Sequence, residues 1–245
     1  MSTQQFTTPN PIRLDVTVAA GKLDVETVEG DESTVTIDGS QKALDTMHVE
    51  LVGDRLVVEQ RRKSLIGFLD RLDDSLRVRA RVPRGSGVQI VTASGEATLD
   101  GSFGAVQMKS ASGGLAVTGS VDGDATVKTV SGSVRVPHVG GDLDVRTVSG
   151  HLAAESVDGS VSVKSVSANV RVGSVRQGQV DVQSVSGDVD LGIASGTSVD
   201  VDAGSASGAL VSEVPLSDTP GGEPGPTVVI RSNTVSGGFH LFRAA

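Results

Sequence analysis

Four cationic side chains recur at one position of a repeated motif in the middle of the chain. Each precedes a step of the form Ser/Thr-x-Ser-Gly or Ser/Thr-x-Ser-Ala, once in every repeat. They are Lys109, Lys128, Arg146 and Lys164. If successive repeats stack, these side chains form one row, which Gln183 and then Gly204 end. Like charges about 5 Å apart repel unless an anion neutralises them. The row therefore predicts a groove for a linear anion, such as a teichoic-type polymer, a nucleic-acid backbone or an acidic tail of a partner.

An alternative interpretation of the same four cations needs no ligand. Aspartates in adjoining columns would neutralise the row, and exposed lysines would keep a flat sheet from aggregating. The formal net charge of -9 and the absence of Trp and Tyr favour this alternative. The same charge argues against specific nucleic-acid recognition, which draws on dense Lys and Arg.

Other chemistry has little support in the sequence. The chain has no Cys, and His48, His138, His151 and His240 do not have the spacing of metal ligands. Asp residues are spread along outward strand positions, and no Gly-x-Ser-x-Gly motif combines with a His and an Asp. We therefore expect no cofactor, no metal site and no catalytic residue, and predict that the protein is not an enzyme.

Composition restricts the class of protein further. The 245 residues are 37% hydrophobic but only 2% aromatic, with 31 Gly and abundant Val. This aliphatic content is too high for a disordered chain, and Gly does not follow the three-residue period of collagen. No secretory signal and no apolar stretch of about 20 residues is visible, so we expect a soluble β-rich protein in the cytoplasm.

The cations belong to a nine-residue repeat of the form V-x-G-x-V-x-V. It occurs at Val130–Val136, Val139–Val145 and Val157–Val163. Alternate units share Ser-Gly, so the true period is about 18 to 19 residues, long enough for one coil of a repeat fold. V-x-V places two branched side chains on one face of a strand, and Gly provides the turn. The repeat predicts an all-β fold, a β-solenoid with two short strands per coil, in which Val packs on Val above and below. An antiparallel sandwich or barrel is the rival.

The segments before and after the repeats are expected to form separate regions. A hairpin is expected from Val49–Leu51 to Leu56–Val58, and a Pro/Gly-rich segment separates the repeats from a last strand. Phe239 and Phe242 follow that strand and are large enough to cap the open end of a Val-lined core. The expected regions are a disordered tail (1–11), an N-terminal β region (12–90), solenoid repeats (91–211), a mobile loop (212–227), and a C-terminal strand and cap (228–245).

One segment, 61–74, has helical character. Its apolar residues fall at i, i+3, i+4 and i+7 on one face, and they are Leu65, Phe68, Leu69 and Leu72. If this face packs on the solenoid, the segment is a lid. If the face is exposed, it could dock a partner or lie on an anionic membrane.

A second feature of the N-terminal region is basic. Arg77, Arg79 and Arg81 share one face of a strand, and Glu50 and Glu59 are their expected partners.

The sequence as a whole resembles a known bacterial family. A strand ending in Arg81–Pro83 is followed by Gly85-Ser-Gly-Val-Gln-Ile90 and by tandem Ser-Gly-x-Val repeats. This pattern is similar to the bacterial β-strand-repeat family of unknown function often labelled putative adhesin. The resemblance covers nearly the whole chain and implies an all-β repeat domain without an established activity, sometimes found near envelope-stress components.

These observations lead to two functional hypotheses. The first is a non-enzymatic structural or protein-interaction scaffold that binds a protein partner or self-associates, with a link to envelope processes. The alternative is an electrostatic binder of an anionic polymer or a membrane surface through the Lys/Arg row.

Overall fold

The computed structural model describes residues 1–61, 76–214 and 226–244, most of which lie in β-strands. The N-terminal elements are β1 (Ser2–Thr7), β2 (Arg13–Val28), β3 (Glu32–Asp38), α1 (Gln41–Leu44), β4 (Met47–Val52), β5 (Arg55–Gln60), β6 (Arg77–Pro83) and β7 (Gly87–Asp100). The repeats form β8 (Ser102–Phe103), β9 (Val106–Ser112), β10 (Leu115–Val117), β11 (Ser120–Val121), β12 (Ala125–Lys128), β13 (Ser131–Val139), β14 (Leu143–Arg146), β15 (Ser149–Val157), β16 (Val161–Lys164), β17 (Ser167–Val175), β18 (Gly178–Ser186) and β19 (Val189–Ile193). The C-terminal part contains β20 (Ser198–Ser207), β21 (Leu210–Ser212), β22 (Thr227–Ser236) and β23 (Phe239–Arg243). No helix of these described ranges is long and apolar enough to cross a membrane.

The repeats stack as a parallel, in-register solenoid. Val134 pairs with Leu152, and Leu152 pairs with Val170, so residues one period apart are direct neighbours. All three side chains are buried. They form one inward column, as expected when V-x-V segments stack about 4.8 Å apart. The predicted β-solenoid is confirmed, and the antiparallel alternative is wrong for the repeats.

Each coil of the repeat region combines a short and a long strand. In one such coil, β14 has four residues and β15 has nine. The second strand is longer than the sequence suggested because pairing continues beyond the inward column, where buried Val157 faces buried Val175.

Glycine is favoured where consecutive coils come closest to each other. Gly132 has φ of 152° and pairs with Gly150 of the next coil. A Cβ on Gly132 would overlap the carbonyl oxygen of Gly113 in the preceding coil. The Ser-Gly step therefore marks the turn between the two strands of a coil, where room is small; Ala168, which pairs with Gly150, carries the smallest side chain.

The N-terminal region begins the same stack. The long strand β2 pairs in parallel with β5 and β6 on one side and with β7 on the other. The predicted hairpin is confirmed, since β4 and β5 are antiparallel around Gly53, whose φ of 64° suits a tight turn. Antiparallel pairs β3–β6 and β1–β3 continue this end of the sheet.

Three expectations for the N-terminal region need correction. Residues 1–11 are not a disordered tail throughout, because Ser2–Thr7 forms the antiparallel strand β1. Its polar side chains carry little apolar periodicity, and pairing with β3 holds the strand, while Phe6 packs against the core.

The second correction concerns the basic face of β6, which is paired with β2 instead of the hairpin. Arg77 and Arg79 lie 3.7 and 3.9 Å from Asp24, and Arg81 donates to Glu26 at 2.9 Å.

The third correction concerns helical structure. The short helix α1 was not predicted; the side chain of Ser40 caps it by accepting a hydrogen bond from the backbone N–H of Ala43. The predicted amphipathic segment 61–74 lies outside the described residues beyond Arg61, and so do Leu65, Phe68, Leu69 and Leu72.

The C-terminal coil is not a cap. β22 lies between β18 and β20, and β23 lies between β19 and β21. The coil formed by β20 and β21 is therefore outermost, although it comes earlier in the chain. Phe239 is buried within the stack instead of closing its end. Most of the expected 212–227 loop lies outside the described residues.

Candidate functional site

The structure brings the four repeat cations together in one row. Lys109 pairs with Lys128, Lys128 with Arg146, and Arg146 with Lys164. Alternation along each strand turns these residues outward, because the preceding Val or Met of each strand is buried. All four are exposed, at the roughly 4.8 Å spacing of paired strands. We call them the cation row.

The row ends in polar, uncharged residues. Lys164 pairs with Gln183, Gln183 with Asn233, and Asn233 with Gly204. The sequence placed Gly204 directly after Gln183. Asn233 intervenes because the C-terminal coil is inserted before the outermost one.

Carboxylates compensate only part of the cation row. Arg146 lies 3.5 Å from Asp144. Within the described ranges, no carboxylate lies within ion-pair distance of Lys109, Lys128 or Lys164. The expected neutralising aspartate column is therefore incomplete, since Thr126 and Ser162 occupy the positions equivalent to Asp144 in the neighbouring coils.

A hydroxyl row follows the cation row at the corner of each coil. Its members are Thr92, Ser110, Thr129, Thr147 and Ser165. Thr129 is 7% exposed and donates to the carbonyl of Ser131. Thr147 donates in the same way to the carbonyl of Ser149. Ser110 Oγ is buried and has no hydrogen-bond partner among the described residues.

Beyond the hydroxyls, valines form a third row. We call Val130, Val148, Val166, Val185 and Val235 the valine row. Each precedes a serine, and these serines pair from coil to coil, so the five valines occupy five consecutive coils. They are among the most exposed large apolar side chains of the described residues, at 46% to 54%.

The valine row was missed in the sequence, although a signal for it exists. Val127 points inward, so strict alternation places Lys128 outward, Thr129 inward and Val130 outward. If the inward and outward alternation is continued through the turn, the repeat contains two kinds of valine, one that faces the core and one that faces the solvent.

These rows border a shallow groove with a volume of about 490 Å³. Its walls include the cation row on one side and Val130 and Val148 on the other, with Ser110, Thr129 and Thr147 between them. The groove runs along the stack and crosses several strands. It offers positive charge, hydroxyls and apolar surface to one elongated ligand.

Histidines and acids lie elsewhere on the molecule. His138 Nδ1 lies 2.8 Å from Ser156 Oγ, and His240 contacts Asp190 and Glu213. Among residues 1–61, 76–214 and 226–244, no group of three or more His, Asp or Glu is arranged to hold a metal ion.

Comparison with known proteins gives structural relatives of low identity. A putative adhesin from Parabacteroides distasonis is 12% identical, with a TM-score of 0.47 over 98% of this chain and 96% of the other. A putative adhesin from Bacteroides fragilis is 11% identical, with a TM-score of 0.43 and the same coverage. A putative lipid binding protein from P. distasonis is 12% identical, with a TM-score of 0.37 over 100% of this chain and 96% of the other.

A search of curated proteins found no match. The sequence model of the family described as Toastrack DUF4097 matches residues 12–220. This match covers most of the chain and confirms the resemblance drawn from the repeats: the protein belongs to the Toastrack DUF4097 family.

Proposed function

We propose that the protein is a non-enzymatic binding scaffold whose cation row holds an extended anionic chain of a partner. The observation that carries this proposal is the register of Lys109, Lys128, Arg146 and Lys164, which stacks four cations with one carboxylate partner among the described residues. The groove lining supports binding over catalysis, because cations, hydroxyls and valines hold a ligand without a general acid–base pair.

Electrostatics gives a reason to expect a ligand. Two unit charges 5 Å apart repel by about 0.8 kcal/mol even in bulk water. Lys128 has such a neighbour on each side, in a protein whose net charge is -9. A linear anion lying along the row would replace this repulsion with attraction at every coil.

The test measures binding of fluorescent poly-glutamate by anisotropy over a salt series. In the row variant, Lys128→Gln with Arg146→Gln, we expect affinity to fall strongly at low salt. The matched control is Arg135→Gln with Arg171→Gln. It removes the same charge from exposed positions on β13 and β17, where Ala153 of the intervening β15 separates the two arginines.

Loss of binding in the row variant with retention in the control would support the proposal. Equal losses in both variants would reduce the effect to net charge and contradict it. Binding that neither salt nor the row variant weakens would also contradict it.

A second candidate function, self-association, is favoured by the open end of the stack. Within the described residues, β20 and β21 pair on one side only, and Leu210 and Val211 are 48% and 49% exposed. A free strand edge with apolar side chains pairs readily with another edge. If a second copy occupies it, sedimentation should show dimers that Leu210→Lys dissociates and that high salt does not. A monomer at all concentrations would exclude this candidate.

A further inference from the structure

The valine row carries information about the ligand that the cation row does not. Single exposed valines are ordinary, but five in consecutive coils form a continuous apolar strip along the stack. An aligned strip of this kind is typical of a surface that another molecule covers.

At the corner of the coil, the polar residue is buried and the apolar residue is exposed, the reverse of the usual arrangement. Thr129 is 7% exposed, whereas Val130, its neighbour in the same turn, is 53% exposed. Threonine has nearly the shape of valine and also favours strands, so placing it outside would keep the fold and improve hydration. The repeat instead keeps valine outside in five coils, and folding gives no reason for this choice.

The cation row and two members of the valine row, Val130 and Val148, line the same groove. Lys128 and Val130 are two residues apart in one coil, and Arg146 and Val148 repeat the arrangement in the next. Apolar surface gains free energy only when an apolar group covers it. A polyphosphate or nucleic-acid backbone would satisfy the cations and leave the valines against charged oxygens.

From these two walls, and resting on the function proposed above, we infer that the groove binds an extended polypeptide segment of a partner in which acidic and apolar side chains alternate. In an extended chain, successive side chains point to opposite sides. Such a segment turns its carboxylates to the cation row and its apolar side chains to the valine row.

The spacing is compatible with this ligand. Same-side residues of an extended chain are about 6.7 Å apart, so two such steps cover about 13 Å, close to the roughly 14 Å that three strand spacings of about 4.8 Å put between Lys109 and Lys164. Long lysine and arginine side chains absorb the remaining mismatch.

The experiment uses the full chain and three probes, namely a short labelled peptide of alternating glutamate and valine, labelled poly-glutamate, and phosphatidylserine vesicles. The key variant is Val148→Thr, which keeps the side-chain shape at a 46% exposed position. The matched control is Val52→Thr, which is 57% exposed and lies outside the groove.

We expect Val148→Thr to weaken binding of the alternating peptide by roughly tenfold, about what one methyl-sized group supplies at an apolar site. Poly-glutamate binding should be unchanged in this variant, and Val52→Thr should leave all binding unchanged. The row variant, Lys128→Gln with Arg146→Gln, should weaken both peptides.

Two results would overturn the inference. If Val148→Thr leaves the alternating peptide bound while the row variant releases it, the valines do not select the ligand, although the proposed anion-binding function stands. If the vesicles sediment the protein, Val148→Thr releases it and the alternating peptide does not bind, the groove is a lipid contact. Failure of both peptides and the vesicles to bind would contradict the proposed function as well.

Discussion

Val180 of β18 pairs with Ile230 of β22, which comes much later in the chain, and Ile230 pairs in turn with Val201 of β20. The outermost coil therefore reaches the rest of the stack through a coil that is synthesised after it. Apolar content explains this order. At paired positions the inserted coil carries Ile230, Phe239 and Leu241, where the outermost coil has Val201, Leu210 and Ser212. Burial between two coils favours the more apolar segment.

Substitution of Ile230 tests this order. Ile230→Asp places an unpaired carboxylate at a fully buried position, and we expect faster backbone hydrogen exchange in β22 and also in β20, which docks on it. The control, Val211→Asp, changes a 49% exposed side chain of the outermost coil and should leave exchange in β22 unaltered. Protection of β20 in Ile230→Asp would mean that the outermost coil stacks on β18 directly.

Val170 tests the stacked core in the same manner. The side chain is 2% exposed in the column with Leu152 and Val189. Val170→Asp should cost about 3 kcal/mol or more, which lowers the melting temperature by roughly 6 to 12 °C in a chain of this size. Val166→Asp, slightly earlier in the chain and 48% exposed, is the matched control and should melt close to the wild type. Equal melting of all three proteins would be incompatible with the inward column.

Much of this architecture is visible in the sequence because in-register stacking converts a sequence period directly into a spatial row. The repeat period predicts both the buried column and the cation row, since every residue lies against its equivalent one period away. The hairpin can also be predicted from the sequence, because its two strands alternate apolar and polar residues and Gly53 and Asp54 mark the turn between them.

The order of the C-terminal coils and the pairing of β1 were not predicted, because they depend on which segments compete for the same strand edge and local sequence patterns do not encode this. Val199-Asp-Val201 and Val228-Val-Ile230 both fit the edge of β18, and the larger apolar side chains of the second segment and its partner strand favour it there. The N-terminal strand β1 is similar, since its Thr and Gln residues give no periodicity and backbone pairing with β3 holds it. The valine side of the groove is absent from the sequence prediction, because valines that face inward and valines that face outward share one repeat.

A buried carboxylate near the start of the stack gives a further prediction. The side chain of Asp15 is 7% exposed, accepts a hydrogen bond from Arg13 Nε at 2.9 Å, and also bonds Arg55. Asp15→Asn would leave two arginines side by side without their anion, and we expect it to destabilise the fold by about 2 to 4 kcal/mol in chemical denaturation. Asp24→Asn removes a 44% exposed carboxylate that also faces two arginines, and should cost less than about 1 kcal/mol. Similar losses in the two variants would show that burial does not set the strength of the Asp15 cluster.

The cation row should weaken the free protein, and this cost is measurable without any ligand. Lys128 lies between Lys109 and Arg146, so Lys128→Gln removes two repulsive neighbours while keeping a long polar side chain at an exposed position. We expect it to raise stability at low salt by a few tenths to about 1 kcal/mol, or roughly 1 to 3 °C in melting temperature.

Arg81→Gln is the matched control with the opposite sign, because Arg81 donates to Glu26 at 2.9 Å and its loss should lower stability by a similar amount. Salt screens both interactions, so the two melting temperatures should converge on the wild-type value as ionic strength rises. If Lys128→Gln is instead destabilising at low salt, Lys128 is compensated within the free protein and the main electrostatic reason for a bound anion is lost.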